Sequence, residues 1–220
     1  MSLIHTYGFT GFCENRPTPL SGQEFRETGL VPARICEVQR ELYTIITDSG
    51  FSKARIKNAE FRLASTAAEF PAVGDFVLVK PNPAGEDQII GLLPRKSFFS
   101  RLNPTPGMGE QIVAANFDIV LIVTSLNQAF NVRRIERYLA ATHQSGARPV
   151  IVLTKADLCA DPASFLSAVS AIAPDTETLV LSAQTGDGMD SLAALLSPGT
   201  TAVLLGSSGA GKSSLVNALA

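Results

Sequence analysis

TAVLLGSSGAGKSSLVNALA, residues Thr201–Ala220, is the stretch that decides the reading of this chain. An apolar strand, Ala202 to Leu205, runs into Gly206-Ser207-Ser208-Gly209-Ala210-Gly211-Lys212-Ser213, and an apolar-periodic helix follows. This strand, glycine-rich loop and helix order is the one that cradles phosphates. Gly206 and Gly211 let the backbone turn tightly enough for successive N–H groups to face inward, Lys212 places an ammonium between the last two phosphates, and Ser213 offers a hydroxyl to a magnesium ion. The helix starting near Lys212 adds its positive end. Lys212 and Ser213 are therefore the candidate catalytic residues. The candidate phosphate-binding set is Gly206, Ser207, Ser208, Gly209, Ala210, Gly211, Lys212, Ser213 and Ser214. A flexible Gly/Ser linker, the bland alternative, leaves the flanking strand and helix unexplained.

A length of 220 residues permits one large domain or two modest ones. With a formal charge of -2, 45% hydrophobic residues and no apolar run of membrane length, the composition predicts a soluble protein without a membrane partner. The start, MSLIHTYGFT, lacks a basic region followed by an apolar core, so the cytoplasm is the expected compartment. Cys13, Cys36 and Cys159 are far apart, and with His5 and His143 they make no zinc signature. Tryptophan is absent, which leaves aromatic recognition to Phe and Tyr.

Residues 1–27 mix aromatic residues with Gly, Pro and Asn and read as an N-terminal arm without chemistry of its own. Residues 28–101 read as a small all-β domain. Its strand candidates are Val31–Val38, Leu42–Thr47, Phe51–Ile56, Glu60–Leu63, Phe76–Lys80 and Gln88–Leu93, with turns at Asp48-Ser49-Gly50 and Val73-Gly74-Asp75. Five or six such strands fit a Greek-key barrel of the OB type. Lys53, Arg55 and Lys57 alternate and so share one strand face. With Arg34, Arg95, Lys96 and Arg101 they are the candidate contacts to an RNA backbone. An ordinary solvated strand face accounts for the same residues, and the preference for RNA rests on fold-level analogy. Basic residues outnumber acidic ones from 28 to 101, and the balance reverses from Leu102 onward.

Residues 102–220 read as a nucleotide-binding α/β domain. Leu102-Asn103-Pro104-Thr105-Pro106-Gly107 has the composition of a linker. Phe117–Val123 is a continuous apolar strand, Val132–Gln144 has helical spacing with Ile135, Leu139 and His143 at four-residue steps, and Pro149–Leu153 is a second buried strand. Near-continuous apolar strands separated by a helix predict a parallel sheet covered on both faces. Ligands of such sheets lie beyond the carboxyl ends of the strands. There the second strand ends in Thr154-Lys155-Ala156-Asp157. A carboxylate at Asp157 can accept from the ring N–H and the exocyclic amine of guanine together, while the Lys155 stem covers the base. A helix containing Phe165, Leu166 and Val169 follows, then strand Thr178–Leu181. After it comes Ser182-Ala183-Gln184-Thr185-Gly186, where the Ala183 N–H is placed to meet a guanine carbonyl. A last helix, Gly188–Leu196, precedes the phosphate-loop strand. The order is tetrad, Ser-Ala loop, phosphate loop, whereas a GTPase domain ordinarily begins with the phosphate loop. The domain therefore reads as circularly permuted, a rearrangement tolerated where termini lie close together.

These motifs resemble one family closely, the bacterial ribosome small-subunit-dependent GTPase A family of circularly permuted GTPases. The resemblance runs from about Val31 onward. It includes Val73-Gly74-Asp75, Arg95-Lys96-Ser97, the run Gln111-Ile112-Val113-Ala114-Ala115-Asn116-Phe117-Asp118, and Ile135-Glu136-Arg137-Tyr138-Leu139. It implies a GTP-hydrolysing factor in late assembly of the small ribosomal subunit, using GTP/GDP and Mg2+, with the barrel contacting ribosomal RNA. It implies no DNA partner, and a monomer. In its terms Thr154, Lys155 and Asp157 are the guanine tetrad and Ser182-Ala183 the loop supporting the base.

Two departures qualify the resemblance. The tetrad usually begins with Asn, so Thr154 predicts looser packing of the ligand loops, by about 1 kcal/mol for one lost hydrogen bond. The family's switch segments and its zinc-holding C-terminal domain find no counterpart in these 220 residues, so zinc is expected only in that missing domain. A chain of this extent is expected to bind nucleotide weakly and turn over little, and its open final strand to favour self-association. Two alternatives stand beside this reading. One is a nucleotide-independent RNA-binding chain whose incomplete GTPase domain is structural only. The other is an ATP-dependent P-loop enzyme, which Asp157 and Ser182-Ala183 disfavour.

Overall fold

The structure is a computed structural model that describes residues 3–9, 29–56, 67–103, 107 and 109–220. The chain divides into two compact units, Met1–Phe117 and Asp118–Ala220.

The first unit is built on five strands: β1 (Val31–Gln39), β2 (Leu42–Thr47), β3 (Gly50–Ile56), β4 (Phe76–Lys80) and β5 (Asp87–Leu92). They close into a barrel in the order β1-β2-β3-β5-β4, with β1 pairing β4 to complete the ring. All pairings are antiparallel except β3 with β5. Period-two alternation of apolar side chains drives this: Ala33, Ile35, Tyr43, Ile45, Ala54, Val77, Val79 and Ile89 point inward into one core. Closure also removes the sheet edges that five short strands would otherwise expose. A short helix, α1 (Leu3–Thr6), leads into a second cluster in which Ile4 and Phe9 pack with Phe76, Leu78 and Leu93. The predicted OB-type barrel is the one observed, and its strands match the sequence expectation to within a residue. The expected strand at Glu60–Leu63 lies outside the described residues, as do Lys57 and most of the N-terminal arm.

The unit continues past the expected boundary at residues 101/102. β6 (Phe98–Leu102) and β7 (Glu110–Ala115) form an antiparallel ribbon, so that boundary falls inside a hairpin. Leu102, expected to open a linker, ends β6. Most of β6 is exposed, so it lacks the apolar alternation that marks the barrel strands. The ribbon is tied to the barrel by a close backbone approach at Gly74. The Ala115 N–H donates to the Val73 carbonyl, and a Cβ on Gly74 would stand 2.1 Å from the Ala115 carbonyl oxygen. Gly74 also has φ +92°, so glycine is required there twice over.

The second unit is a four-stranded parallel sheet of β8 (Ile119–Ser125), β9 (Arg148–Thr154), β10 (Thr178–Val180) and β11 (Ala202–Leu205), in the order β10-β9-β8-β11. β8 is buried along its whole length, as a central strand covered on both faces must be. Helices α2 (Val132–Ser145), α3 (Pro162–Ile172), α4 (Met189–Leu195) and α5 (Lys212–Leu219) connect or follow the strands. Asn131 caps α2 by accepting from the Arg134 N–H, and Gly146 ends it at φ 82°. Ile135 and Leu139 are buried as predicted, but Thr142 is buried next while His143 is exposed. A stripe at 3.6 residues per turn drifts off strict four-residue steps. β11 lies at the sheet edge, half-buried at every position.

Candidate nucleotide-binding site

Parallel strands that all point one way bring their carboxyl ends to one rim, and the turns leaving β9, β10 and β11 there carry the three predicted ligand loops. The phosphate loop leaves β11 at Gly206, where a Cβ would stand 2.4 Å from the Val123 carbonyl oxygen, so a side chain would push the loop off β8. Gly209 and Gly211 take positive φ, +76° and +94°, which turns the loop back into α5. Within it the Ala210 N–H donates to the Ser207 carbonyl. The Lys212 ammonium donates to the carbonyls of Gly206 and Ser207, both at 2.8 Å, and is thereby folded over the loop. Ser213 and Ser214 are exposed on the first turn of α5, among N–H groups that have no acceptor within the helix. Such a nest fits a polyphosphate, and the Ser213 hydroxyl fits a magnesium ion as an oxygen ligand.

Thr154 ends β9, 3% exposed, and its Oγ1 donates to the Ala210 carbonyl at 2.6 Å. The hydroxyl that stands where the family usually has an amide bonds directly to the phosphate loop. Lys155 follows in the left-handed region at φ 61°, an uncommon conformation for a residue with a Cβ. That turn starts the short 3-10 segment Ala156–Leu158 and brings Asp157 to the surface. The Ser182 hydroxyl, on a residue 1% exposed, donates to Asp157 Oδ1 at 2.6 Å. Ser182 Oγ in turn accepts from the N–H groups of Gln184 and Thr185, both at 3.2 Å, which fixes the direction of its own proton toward Asp157. The Ala156 N–H donates to the Leu181 carbonyl. Thr154, Asp157, Ser182 and the phosphate loop are thus joined by hydrogen bonds into one rim. Ala183 lies on it half-buried, immediately after Ser182.

The barrel residues divide differently. Arg34 is 6% exposed and donates to the carbonyls of Tyr7, Gly74 (3.3 Å) and Asn116 (3.1 Å), with its guanidinium 5.0 Å from the Phe76 ring centre. Arg95 is paired with Asp75, Nε to Oδ1 at 2.8 Å and Nη2 to Oδ2 at 2.7 Å, and donates to the carbonyls of Ala68 and Phe70. The expectation that these two meet RNA is corrected: their charged ends are spent inside the unit. Asp75 is fully buried and also accepts from the Ala72 N–H at 2.8 Å. Burial pushes its carboxyl above the ordinary carboxylate value, while the Arg95 hydrogen bonds and charge pull it back. Asn116, at φ 55°, completes this node by donating to the Gly74 carbonyl and accepting from the Lys96 N–H at 2.9 Å. Ser97 Oγ donates to the Phe117 carbonyl and accepts from its N–H. The quoted runs around Gly74, Arg95 and Asn116 therefore meet in one buried polar node.

The remaining basic candidates are surface groups. Lys53 donates to Thr44 Oγ1 at 2.7 Å and lies 3.9 Å from Glu37, and Arg55 lies 3.3 Å from Glu86. Lys96 is half-buried, Arg101 is exposed on β6, and Lys57 lies outside the described residues. Phe51, which the sequence reading did not single out, is 63% exposed on β3. It shares the strand face of Lys53 and Arg55 by its i, i+2, i+4 spacing, a signal that was available.

The family described as RsgA GTPase matches residues 92–220. The small ribosomal subunit biogenesis GTPase RsgA of Syntrophotalea carbinolica is 43% identical over 206 residues, covering 90% of this chain and 56% of that protein. The small ribosomal subunit biogenesis GTPase RsgA 1 of Listeria innocua is 41% identical over 218 residues, covering 99% and 59%. This chain thus spans less than two thirds of the length of these relatives. Among solved structures, YjeQ from Thermotoga maritima superposes with a TM-score of 0.72 at 25% identity, covering 86% of this chain and 65% of that one. YloQ, titled a circularly permuted GTPase, has a TM-score of 0.64 and supports the same fold. Over the matched residues the permuted motif order and the parallel sheet coincide with that assignment, and the chain belongs to the RsgA GTPase family.

Proposed function

We propose that this chain binds guanine nucleotide at the rim of its second unit and belongs to a GTP-hydrolysing factor of small ribosomal subunit assembly. The observation that carries the reading is the joined rim: a phosphate loop, a base-reading carboxylate and the loop that orients it are linked by Thr154 and Ser182. Relatives named as small ribosomal subunit biogenesis GTPases support the partner.

In this reading Asp157 accepts from the base, the Ala183 N–H meets the base carbonyl, and the Lys155 stem lies along the ring. The N–H groups of residues 207–213 hold the phosphates, and Lys212 turns from the Gly206 and Ser207 carbonyls toward them. Ser213 would hold the magnesium ion, which when bound neutralises charge that develops on the phosphate oxygens. Preorganised donors of this kind are the main source of stabilisation in phosphoryl transfer. Contact with ribosomal RNA is assigned to Phe51, Lys53, Arg55, Lys96 and Arg101 of the first unit, with Lys57 kept from the sequence reading.

Calorimetric titration of the 220-residue chain with GDP, a non-hydrolysable GTP analogue and ATP tests the reading. Guanine nucleotides are expected to bind and ATP not to. Retained binding to ribosomal RNA with no affinity for GDP would establish instead a nucleotide-independent RNA-binding chain. Turnover by this chain alone is expected to be slight even with small subunits added, because Lys212 and Ser213 are only part of what in-line water attack requires.

A further inference from the structure

At the end of the sheet away from the nucleotide rim, α2, the end of α3 and the start of β9 enclose a groove of about 590 Å3. Its apolar lining is Leu139 and Ala173, both buried, with Pro149 and Ile172 half-buried. Around them stand three carboxylates, Glu136 from α2 and Asp175 and Glu177 from the turn that leaves α3. One guanidinium opposes them, Arg148, and it is already paired with Glu177. That match leaves the charges of Glu136 and Asp175 in excess. His143, which completes the α2 wall, is neutral in the formal charge count at pH 7. The field is strengthened by the helices, because α2 brings its last turn to the groove through His143 and α3 brings its final residue, Ile172. Helix carboxyl ends carry partial negative charge.

We infer that this groove docks a basic protein segment, with an arginine or lysine side chain laying its apolar stem on the lining and its charged head between Glu136 and Asp175. The identity of the partner, a protein of the small ribosomal subunit, rests on the subunit-assembly reading above. An apolar patch rimmed by polar groups marks an interaction site. Excess negative charge repels a phosphate backbone, so the occupant is not the RNA itself. A long aliphatic stem ending in a cation matches lining and rim together. Proteins that sit on RNA carry such side chains at high density, because they neutralise phosphates with Lys and Arg. Arg148 opens β9 and Thr154 closes it, so six residue steps of strand, about 20 Å, separate this groove from the nucleotide loops. Partner and nucleotide therefore do not compete for space.

The test compares the 220-residue chain with a variant carrying Glu136→Lys and Asp175→Lys, two exposed positions outside the nucleotide rim. Affinity is measured for purified small ribosomal subunits, for their RNA stripped of protein, and for GDP. The variant is expected to bind subunits about tenfold more weakly, because two attractive charges become repulsive. Stripped RNA is expected to bind at least as tightly as to the parent, since two acids have become cations. GDP affinity is expected to stay within about twofold. The direction of the change decides: subunit binding equal to or tighter than the parent's overturns the inference, because a groove facing RNA or solvent keeps or gains affinity. A parallel loss on stripped RNA marks general damage and also overturns it. With p-benzoylphenylalanine in place of His143, the photoadduct on subunits is expected to be a protein, and adducts to RNA alone, or none, overturn the inference. If circular dichroism shows the reversed variant unfolded, Glu136→Gln with Asp175→Asn replaces it, and weaker subunit binding is again the expected result. Failure of the parent chain to bind small subunits overturns the ribosomal reading itself, and this inference with it.

Discussion

Replacing Asp157 by asparagine tests the base-reading half of the site, and the structure determines how the new amide must sit. Ser182 Oγ accepts from two backbone N–H groups, so its proton is directed at Asp157 Oδ1. In Asp157→Asn that position must remain an oxygen, because an NH2 group there would meet a donor. The amide nitrogen is then forced to the place of Oδ2, which has no partner among the described residues. Guanine presents two donors to this end, a ring N–H and an exocyclic amine; the ring N–H still finds the amide oxygen, but the amine would face an NH2 group. Hydrogen bonds to a charged acceptor contribute about 1.5–3 kcal/mol each. Losing one of them and removing the charge from the other weakens GDP binding by about 3 kcal/mol, roughly two orders of magnitude. Xanthine carries a carbonyl where guanine has its amine, so its diphosphate gains an acceptor for the new donor. Competition of GDP and xanthosine diphosphate against a labelled nucleotide reads the ratio directly. Because Asp157 is exposed, the thermal midpoint of the nucleotide-free chain is expected to be unchanged. A selectivity ratio equal to that of the parent would refute the assignment of Asp157 to the base.

Two further predictions separate the structural from the surface cations of the first unit. Asp75→Ala leaves the Arg95 guanidinium without its carboxylate and the Ala72 N–H without an acceptor inside the node. Breaking a buried pair from one side is expected to cost about 3 kcal/mol in urea unfolding, and a cost under about 1 kcal/mol would show the node to be dispensable. Lys53→Glu combined with Arg55→Glu is expected to leave unfolding nearly unchanged while lowering affinity for ribosomal RNA and flattening its salt dependence. An unaltered salt slope would remove this strand face from the RNA interface.

Much of the second unit was legible because its signals are local. β8 and β9 carry continuous apolar runs, Ile119–Val123 and Pro149–Leu153, since a strand between two layers has no solvent face, and β11 with its glycine-rich loop was placed to the residue. The barrel was legible for the related reason that alternation reports one wet and one dry face. The β6–β7 ribbon was not, because its exposed strand carries no such alternation and its pairing partner lies beyond an apparent linker. Arg34 and Arg95 were misplaced for a deeper reason. A basic residue in a strand or at a domain's exit reads as surface, and only the carbonyls and the carboxylate gathered around it by distant segments reveal otherwise.

By itself, then, the amino-acid sequence determined the two fold classes, the permuted order of the three loops and the residue types that the proposal assigns to phosphate and base. These depend on periodicity and on residues adjacent in the chain. Tertiary structure alone decided which polar groups are partnered. It joined Thr154 to Ala210 across 56 residues, set Ser182 against Asp157, and buried Arg34 and Arg95 while leaving Lys53 and Phe51 at the surface. The physical reason is that a hydrogen bond or a buried charge is a property of two groups brought together by folding, whereas a propensity is a property of one.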